Sequence, residues 1–178
     1  MSDRKWRTWE IAGLLVTIAA GNLLHFVYDW SGKNDIVAAF AATNESTWEH
    51  MKLLAVPWII WSFIEWLALR RRKSPVLAAR GAGLLVGLTA IPMLFYTYQG
   101  IVGRNLPPVN IIIFQAAVLL AFWVSWHIRD KRKWSGKPWQ WLGGLLLLAA
   151  GVLFVLWTYR PPRLAVFIDP LTGQVGPS

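Results

Sequence analysis

The fold is decided by a stretch that reads Asn44-Glu45-Ser46-Thr47-Trp48-Glu49-His50-Met51-Lys52, because polar sequence gives way there to a long apolar run. Ser46 and Glu49 have the Ser-x-x-Glu spacing of a capping box, in which the hydroxyl accepts a backbone amide and the carboxylate reaches back. The stretch therefore predicts the start of a helix. The run that follows continues to Leu69 and is long enough to cross a hydrocarbon core of about 30 Å.

The composition of the whole chain is typical of a membrane protein. Of its 178 residues, 56% are hydrophobic and 15% are charged, and the mean hydropathy is +0.42. The absence of cysteine excludes disulfides and thiolate metal sites. The net charge of +9 comes from short basic clusters that border apolar runs, so we expect the lipid bilayer, and no nucleic acid, as a partner.

Five apolar runs predict an all-α bundle of five transmembrane helices that forms a single integral membrane domain over residues 1–178. The predicted spans are about 9–28, 47–69, 80–101, 108–128 and 139–159. A cleaved signal peptide is the alternative for the first run, but a polar stripe at helical spacing continues beyond any cleavage point. Pro57 and Pro92 predict bends in the second and third spans. Gly83 and Gly87, four residues apart, predict close helix packing.

Two segments outside the spans contain apolar sequence. Residues 29–45 are predicted as a loop, whose apolar part at 36–43 is too short to span and either lies in the interface or folds over the bundle. The tail, 160–178, is predicted as a stiff exit, an extended apolar segment at 164–168 and a turn. Because an apolar segment is poorly placed in water, we expect the tail to pack on the outer face of the bundle.

The basic residues predict the orientation. Thirteen of the 18 lysines and arginines fall on the side that holds the amino terminus, and the others fall on the opposite side. The positive-inside rule then places the amino terminus in the cytoplasm and the carboxyl terminus outside. We expect a multi-pass protein of a bacterial inner membrane.

The outer ends of the first two spans gather most of the ionisable residues. His25 and His50 each lie about one turn below an outer helix end, whereas His127 lies at the cytoplasmic end of the fourth span and is interpreted as an interfacial anchor. Ionisable groups at membrane depth cost at least a few kcal/mol unless paired, and so mark candidate sites. The residues expected at this outer mouth are Asn22, His25, Asp29, Asn44, Glu45, Ser46, Glu49, His50 and Lys52, with Asp169 joining from the tail.

Three interpretations of this group remain open. His25, Asp29, Glu45 and His50 are candidate ligands of zinc or another divalent ion, with Glu45 or Glu49 as general base. Without a metal, Glu49, His50 and Ser46 are candidate catalytic residues, with Glu49 and His50 as an acid-base pair, or the group binds a lipid head group. In the purely structural interpretation Ser46 and Glu49 cap the helix, Glu49 pairs with Lys52, and Asp29 orients His25. Glu65 is interpreted as a partner of the arginines at 70–72, without function.

Three motifs together resemble a family of small bacterial multi-pass membrane proteins of unknown function. They are the Asn-Glu-Ser-x-Trp-Glu-His-x-Lys run at 44–52, the His-Phe-x-Tyr run at 25–28, and the Phe-x-Asp-Pro-x-Thr-Gly run at 167–173. This resemblance implies a membrane protein and no particular activity. The Ser46-x-x-x-His50 spacing alone bears a fainter likeness to the membrane hydrolases that include alkaline ceramidases and adiponectin receptors, which have seven helices and a three-histidine zinc site.

The sequence thus leads to two hypotheses about function. In the first, an outward-facing site binds a divalent metal or a lipid head group and hydrolyses a lipid-like substrate. In the second, the protein is a small carrier or an accessory subunit without enzymatic activity, for which Asn110 and Gln115 line a path. Polar residues that continue through the membrane would favour the second hypothesis.

Overall fold

A computed structural model of the protein describes residues 3–69, 74–129 and 131–177. Within these ranges the structure is helical, apart from one isolated bridge between Ile168 and Val175. The α-helices are α1 (Asp3–Trp30), α2 (Asp35–Ala38), α3 (Thr47–Leu69), α4 (Val76–Val102), α5 (Pro107–Arg129) and α6 (Lys137–Tyr159), and there are two short 3₁₀ helices, Arg132–Ser135 and Ala165–Phe167.

All of these α-helices except α2 are long and apolar enough to cross a membrane. The all-α fold with five spans is therefore confirmed, whereas the single domain and the bends at Pro57 and Pro92 remain predictions. The largest differences lie at two amino ends, because α1 begins at Asp3 rather than near residue 9, and α4 begins at Val76 rather than near residue 80. The extension of α1 contains arginine and lysine and that of α4 contains leucine and two alanines, all of which favour helix.

The two ends of the bundle differ in chemistry. At one end of the bundle α1 ends and α3 and α5 begin. We call it the histidine end, because His25 and His50 lie there. The opposite end is the arginine end, where Arg80 of α4 and Arg129 of α5 are buried.

Helix α4 packs against α3, α5 and α6, and α1 packs mainly against α3. Close approach depends on glycine, as expected for Gly83 and Gly87. A Cβ on Gly83 would come within 2.7 Å of the Ala121 carbonyl oxygen, and one on Gly87 within 3.0 Å of Leu54. The tightest contact lies between α4 and α6, where a Cβ on Gly143 would lie 2.1 Å from the Leu77 carbonyl oxygen.

The loop after α1 and the tail both cover the histidine end. The loop contains the short helix α2, which the sequence did not predict and whose first amides Asn34 caps. It folds over the bundle, since Ala38 and Ala41 are fully buried. In the tail, the segment expected to be extended forms a 3₁₀ turn, because that turn brings Phe167 onto the rings of Trp48 and Trp157.

Four charged side chains from four different helices meet inside the arginine end. These residues, which we call the ion quartet, are Glu10 of α1, Glu65 of α3, Arg80 of α4 and Arg129 of α5. Arg80 Nε donates to Glu65 Oε2 at 2.8 Å, its Nη2 lies 3.2 Å from Glu10 Oε2, and Arg129 bonds Glu65 and lies 3.2 Å from Glu10. Two carboxylates thus balance two guanidinium groups.

The ion quartet corrects the interpretation of Glu65. Its carboxylate is fully buried and pairs with Arg80 and Arg129, while the arginines at 70–72 lie outside the described residues. The Arg80 guanidinium also lies over the rings of Trp58 and Phe122, at 5.0 and 4.7 Å from their centroids. Arg80 and Arg129 are therefore interior residues that join helices, rather than surface residues that mark topology.

We expect Glu65→Gln to destabilise the protein by about 3–5 kcal/mol, since it leaves two buried guanidinium groups against one carboxylate. Thermal unfolding of the purified protein in detergent measures the loss. The exposed Lys131 provides the control, because Lys131→Ala removes a charge from the same end without touching a buried pair. A Glu65→Gln protein as stable as the control would show that the ion quartet does not hold the bundle together.

Candidate functional site

The start of α3 organises the histidine end through hydrogen bonds of its own cap. Ser46 Oγ accepts the Glu49 amide at 3.3 Å, which is the first half of the expected capping box. The second half is absent, because the Ser46 amide donates to Asn44 Oδ1 at 2.9 Å instead of to Glu49. Asn44 also donates to the Gly176 carbonyl at 2.8 Å, so it joins this cap to the tail.

Glu49 and Lys52 hold the loop onto α3. The Lys52 ammonium is fully buried and donates to the carbonyls of Ala38 and Ala41 at 2.9 and 3.1 Å and to Glu49 Oε2 at 2.7 Å. The same carboxylate oxygen accepts the Thr43 amide at 2.9 Å. All three protons of the ammonium are thereby used, and the Glu49 carboxylate faces the loop.

A different set of residues converges beside this cap. His25 Nε2 lies 3.7 Å from Glu45 Oε1, and His50 Nε2 lies 3.6 Å from Glu45 Oε2. The two imidazole rings meet edge to face, with centroids 5.4 Å apart. The ligand atoms of these three residues all lie within 4.8 Å of one another. In the described ranges, no other group of three or more histidine and carboxylate residues is as close. We call these three residues the histidine cluster.

The orientation of His50 is set by the first turn of α3. Its Nδ1 lies 3.0 Å from the carbonyl oxygen of Ser46, which can only accept a hydrogen bond, so this nitrogen carries the proton. The neutral ring then presents the lone pair of Nε2 towards Glu45. A backbone carbonyl that fixes the tautomer in this way is the usual support of a metal-binding histidine.

A cleft of about 550 Å³ opens beside the histidine cluster, between α1 and α5, with Leu53 of α3 at its base. His25, Glu45 and His50 all line it, together with Asn22 of α1 and Asn110 of α5. The cluster is only partly exposed, since the side chains of His25, His50 and Glu45 expose 33%, 17% and 35% of their surface. A ligand in the cleft could therefore reach all three.

Asn110 contributes an unused acceptor to this cleft, which the sequence did not reveal. The Leu106 amide donates to Tyr98 Oη at 2.6 Å, so the tyrosine hydroxyl donates onward to Asn105 Oδ1 at 3.1 Å. Asn105 Oδ1 also accepts from Asn110 Nδ2 at 2.9 Å. The remaining atom, Asn110 Oδ1, is buried without a hydrogen-bond partner. Such an atom calls for a water, an ion or a ligand.

The other predicted site residues lie around the cluster rather than in it. Asp29 is exposed on the last turn of α1 and does not belong to the group of ligand atoms. Asn22 bonds the Ile18 carbonyl and Gln115 at the base of the cleft. Asp169 is buried, and its Oδ1 accepts the Leu171 amide, which closes the turn of the tail. Leu171 itself lies at the edge of the cleft.

His127 is separate from these residues. It lies in the last turn of α5 at the arginine end, exposed, with its ring on Trp123 at a centroid distance of 4.3 Å. This placement agrees with the expectation that it is an interfacial anchor.

We expect Lys52→Met to destabilise the protein by about 3–5 kcal/mol, because the Glu49 carboxylate would be left buried without its cation. The loop should also open more often, so that amide hydrogen exchange at residues 38–43 becomes faster. Lys33→Met, which alters an exposed lysine next to α2, is the matched control. Unchanged exchange in Lys52→Met would contradict the role assigned to this lysine.

The chain belongs to a family of unknown function, DUF6512, whose family model matches residues 1–177. This membership agrees with the expectation of a family of unknown function and assigns no activity, while the three motifs stay a prediction. No curated protein and no solved structure matches the chain, and nothing found supports the fainter likeness to ceramidases and adiponectin receptors.

Proposed function

We propose that the protein binds one divalent metal ion, with zinc favoured, through His25, Glu45 and His50. The observation that carries this proposal is the spacing of the three ligand atoms, which all lie within 4.8 Å of one another. Two imidazoles and one carboxylate are a donor set that suits zinc, and cysteine is absent from the chain. Asp29, also expected as a ligand, is not part of the proposed set.

The distances favour a shared ion over direct hydrogen bonds. Glu45 lies 3.7 and 3.6 Å from the two imidazole nitrogens, beyond the range of about 2.7–3.2 Å for such a bond. Around a tetrahedral zinc ion with bonds of about 2.0–2.2 Å, neighbouring ligand atoms lie about 3.3–3.6 Å apart. The carboxylate is therefore too far from both nitrogens to bond them, and the three ligand atoms, within 4.8 Å of one another, would close around one ion by a small movement of the side chains.

The charge of the cluster points the same way. Two protonated imidazoles with centroids 5.4 Å apart would repel each other, whereas two neutral imidazoles and one carboxylate carry a charge that a divalent cation offsets. The Ser46 carbonyl already fixes the tautomer of the neutral His50 ring, with the proton on Nδ1 and Nε2 free to bind a metal. The arrangement is thus preorganised for a cation.

The chemistry that we propose is activation of water for hydrolysis. Three protein ligands leave a fourth position open, and a zinc-bound water ionises near neutral pH. Asn110 also lines a small cavity of about 20 Å³ with Glu45 and His50, and its unused Oδ1 would orient such a water by accepting its proton in a hydrogen bond. We assign Glu49 and Ser46 to the cap and the loop rather than to the reaction, since both already have partners there.

We expect the protein, purified through a tag that contains no histidine, to hold about one zinc ion per chain. His25→Ala, His50→Ala and Glu45→Ala should each weaken zinc binding by more than about 100-fold, because a three-ligand site loses a ligand. Elemental analysis combined with competition against a zinc-binding dye measures both quantities. His127→Ala is the matched control, since it removes the one histidine that lies at the other end of the bundle.

Two results would contradict the metal site. One is a zinc content far below one ion per chain after reconstitution of the wild-type protein. The other is equal zinc binding in the His50→Ala and His127→Ala proteins, which would place the ion elsewhere.

We further propose that the histidine end faces the outside of a bacterial inner membrane. The support is the excess of lysine and arginine at the arginine end, including Arg7, Lys131, Lys133 and Lys137, which are exposed there. Cytoplasmic loops carry such an excess. The metal site would then draw its ion and its water from outside the cell.

Single cysteines test this orientation directly, because the chain contains none of its own. We expect a membrane-impermeant maleimide to label Gln174→Cys in intact cells and to label Lys137→Cys only after permeabilisation. Both positions are exposed, and they lie at opposite ends of the bundle. The reverse labelling pattern would place the histidine end in the cytoplasm.

A further inference from the structure

We propose that the ligand of the metal site is an amphiphile from the lipid bilayer, which enters between α1 and α5 with its polar head at the metal and its chain in the membrane. This inference rests on the proposed metal site and names its class of substrate.

The cleft joins the polar cluster to the lipid-facing surface. One wall is α1, with Gly21, His25 and Phe26, and the other is α5, with Asn110 and Ile111. Its volume of about 550 Å³ lies inside the range of roughly 300–1,000 Å³ that is usual for small-molecule sites. The cleft can therefore hold a head group together with part of a chain.

The outward edges of the two walls are apolar and exposed. Phe26 exposes 52% and Ile111 exposes 56% of its surface, and both belong to helices that can span a membrane. Ile111 lies one turn inside α5, and Phe26 lies one turn before the end of α1. At that depth such side chains face hydrocarbon, so the opening between them leads into the bilayer rather than into water.

The cleft also has polar groups along it. The histidine cluster lines it, and so does Asn110, whose Oδ1 is buried without a partner. A head group at this position would bind the metal and also donate a hydroxyl or amide hydrogen to Asn110. A water-soluble ligand needs no apolar entrance, whereas an amphiphile uses both parts of the cleft.

Two other large grooves of the described structure lack this combination. A groove of about 600 Å³ between α3 and α6 has only apolar or glycine residues along it. A groove of about 700 Å³ between α1 and α5 at the arginine end contains Glu10 and His127 but no group of metal ligands. Of these three, the cleft at the histidine end is the one that pairs a lipid-facing entrance with the cluster.

Two hydroxamates of different chain length, lauroyl hydroxamate and acetohydroxamate, test the proposal, because both bind divalent metals through the same head group. The protein is loaded with Co²⁺ in phosphatidylcholine nanodiscs, and the visible absorption of the ion reports first Co²⁺ and then hydroxamate binding. We expect lauroyl hydroxamate to bind at least about 100-fold more tightly than acetohydroxamate, since its chain remains in the bilayer.

The entrance is tested with a matched pair of variants. Ile111→Trp fills the opening and should weaken binding of lauroyl hydroxamate by about 10-fold, while binding of Co²⁺ and of acetohydroxamate stays unchanged. Ile112→Trp changes the next residue, which is 65% exposed and outside the cleft, and should leave all three affinities unchanged. Because both variants meet the same bilayer, unspecific partitioning of the probe cannot produce this difference.

The outcomes separate the two proposals. A protein that binds no Co²⁺ overturns the metal site and this inference with it. Bound Co²⁺ with equal affinity for the two hydroxamates, or with equal effects of Ile111→Trp and Ile112→Trp, overturns lateral entry alone.

Discussion

The structure depends on one constraint, which is that every charge carried into the hydrocarbon must meet a partner there. Glu10, Glu65, Arg80 and Arg129 come from four helices, expose at most 3% of each side chain, and balance to zero. Removing one member of such a group costs several kcal/mol, because an opposite charge is then left without its partner in a medium that contains no water to solvate it. The ion quartet therefore decides which helices adjoin at the arginine end, in a bundle whose apolar side chains could pack in several ways.

The same constraint distinguishes the histidine cluster from the other charged groups. Lys52 and Glu49 meet at 2.7 Å with nearly complete burial, and Arg80 meets Glu65 at 2.8 Å. Glu45, in contrast, stands 3.6 and 3.7 Å from its two imidazoles and remains about one-third exposed. The first pair uses all three protons of its ammonium, and the ion quartet balances in charge while several of its guanidinium nitrogens have no hydrogen-bond partner. We assign structural roles to both. The histidine cluster, in contrast, has no direct hydrogen bond between Glu45 and its imidazoles, and it adjoins a cleft, which is why the proposed function rests there.

Much of the fold could be predicted from the sequence, because length and hydropathy decide where helices cross a membrane. The common depth of His25 and His50 also followed from helix rise alone. The ion quartet could not be predicted, since arginine beside an apolar run is normally a topology signal, and its pairing depends on tertiary contacts between four helices. Asn110 was named as a residue that lines a path, but its free oxygen could not be predicted, because it results from the hydrogen bonds of Tyr98 and Asn105. Glu49 and Lys52 were predicted as a pair, but their loop carbonyl and amide partners depend on tertiary contacts.

The ion quartet and the cleft are connected through the position of α1. At the arginine end α1 is held to α5 by Glu10 with Arg129 and Ser125 and by Trp6 on Trp126, at a centroid distance of 4.5 Å. Near the middle, α1 meets α5 and α3 closely, because a Cβ on Gly21 would come within 2.4 Å of Phe114 and 2.7 Å of the Leu53 carbonyl. Beyond that point Asn22 and Gln115 make only a 3.5 Å contact, and the two helices separate around the cleft. Because the charges secure α1 at one end, the cleft between α1 and α5 at the other end can remain open without loss of the bundle, and the ligand that we propose for the histidine cluster requires such an opening.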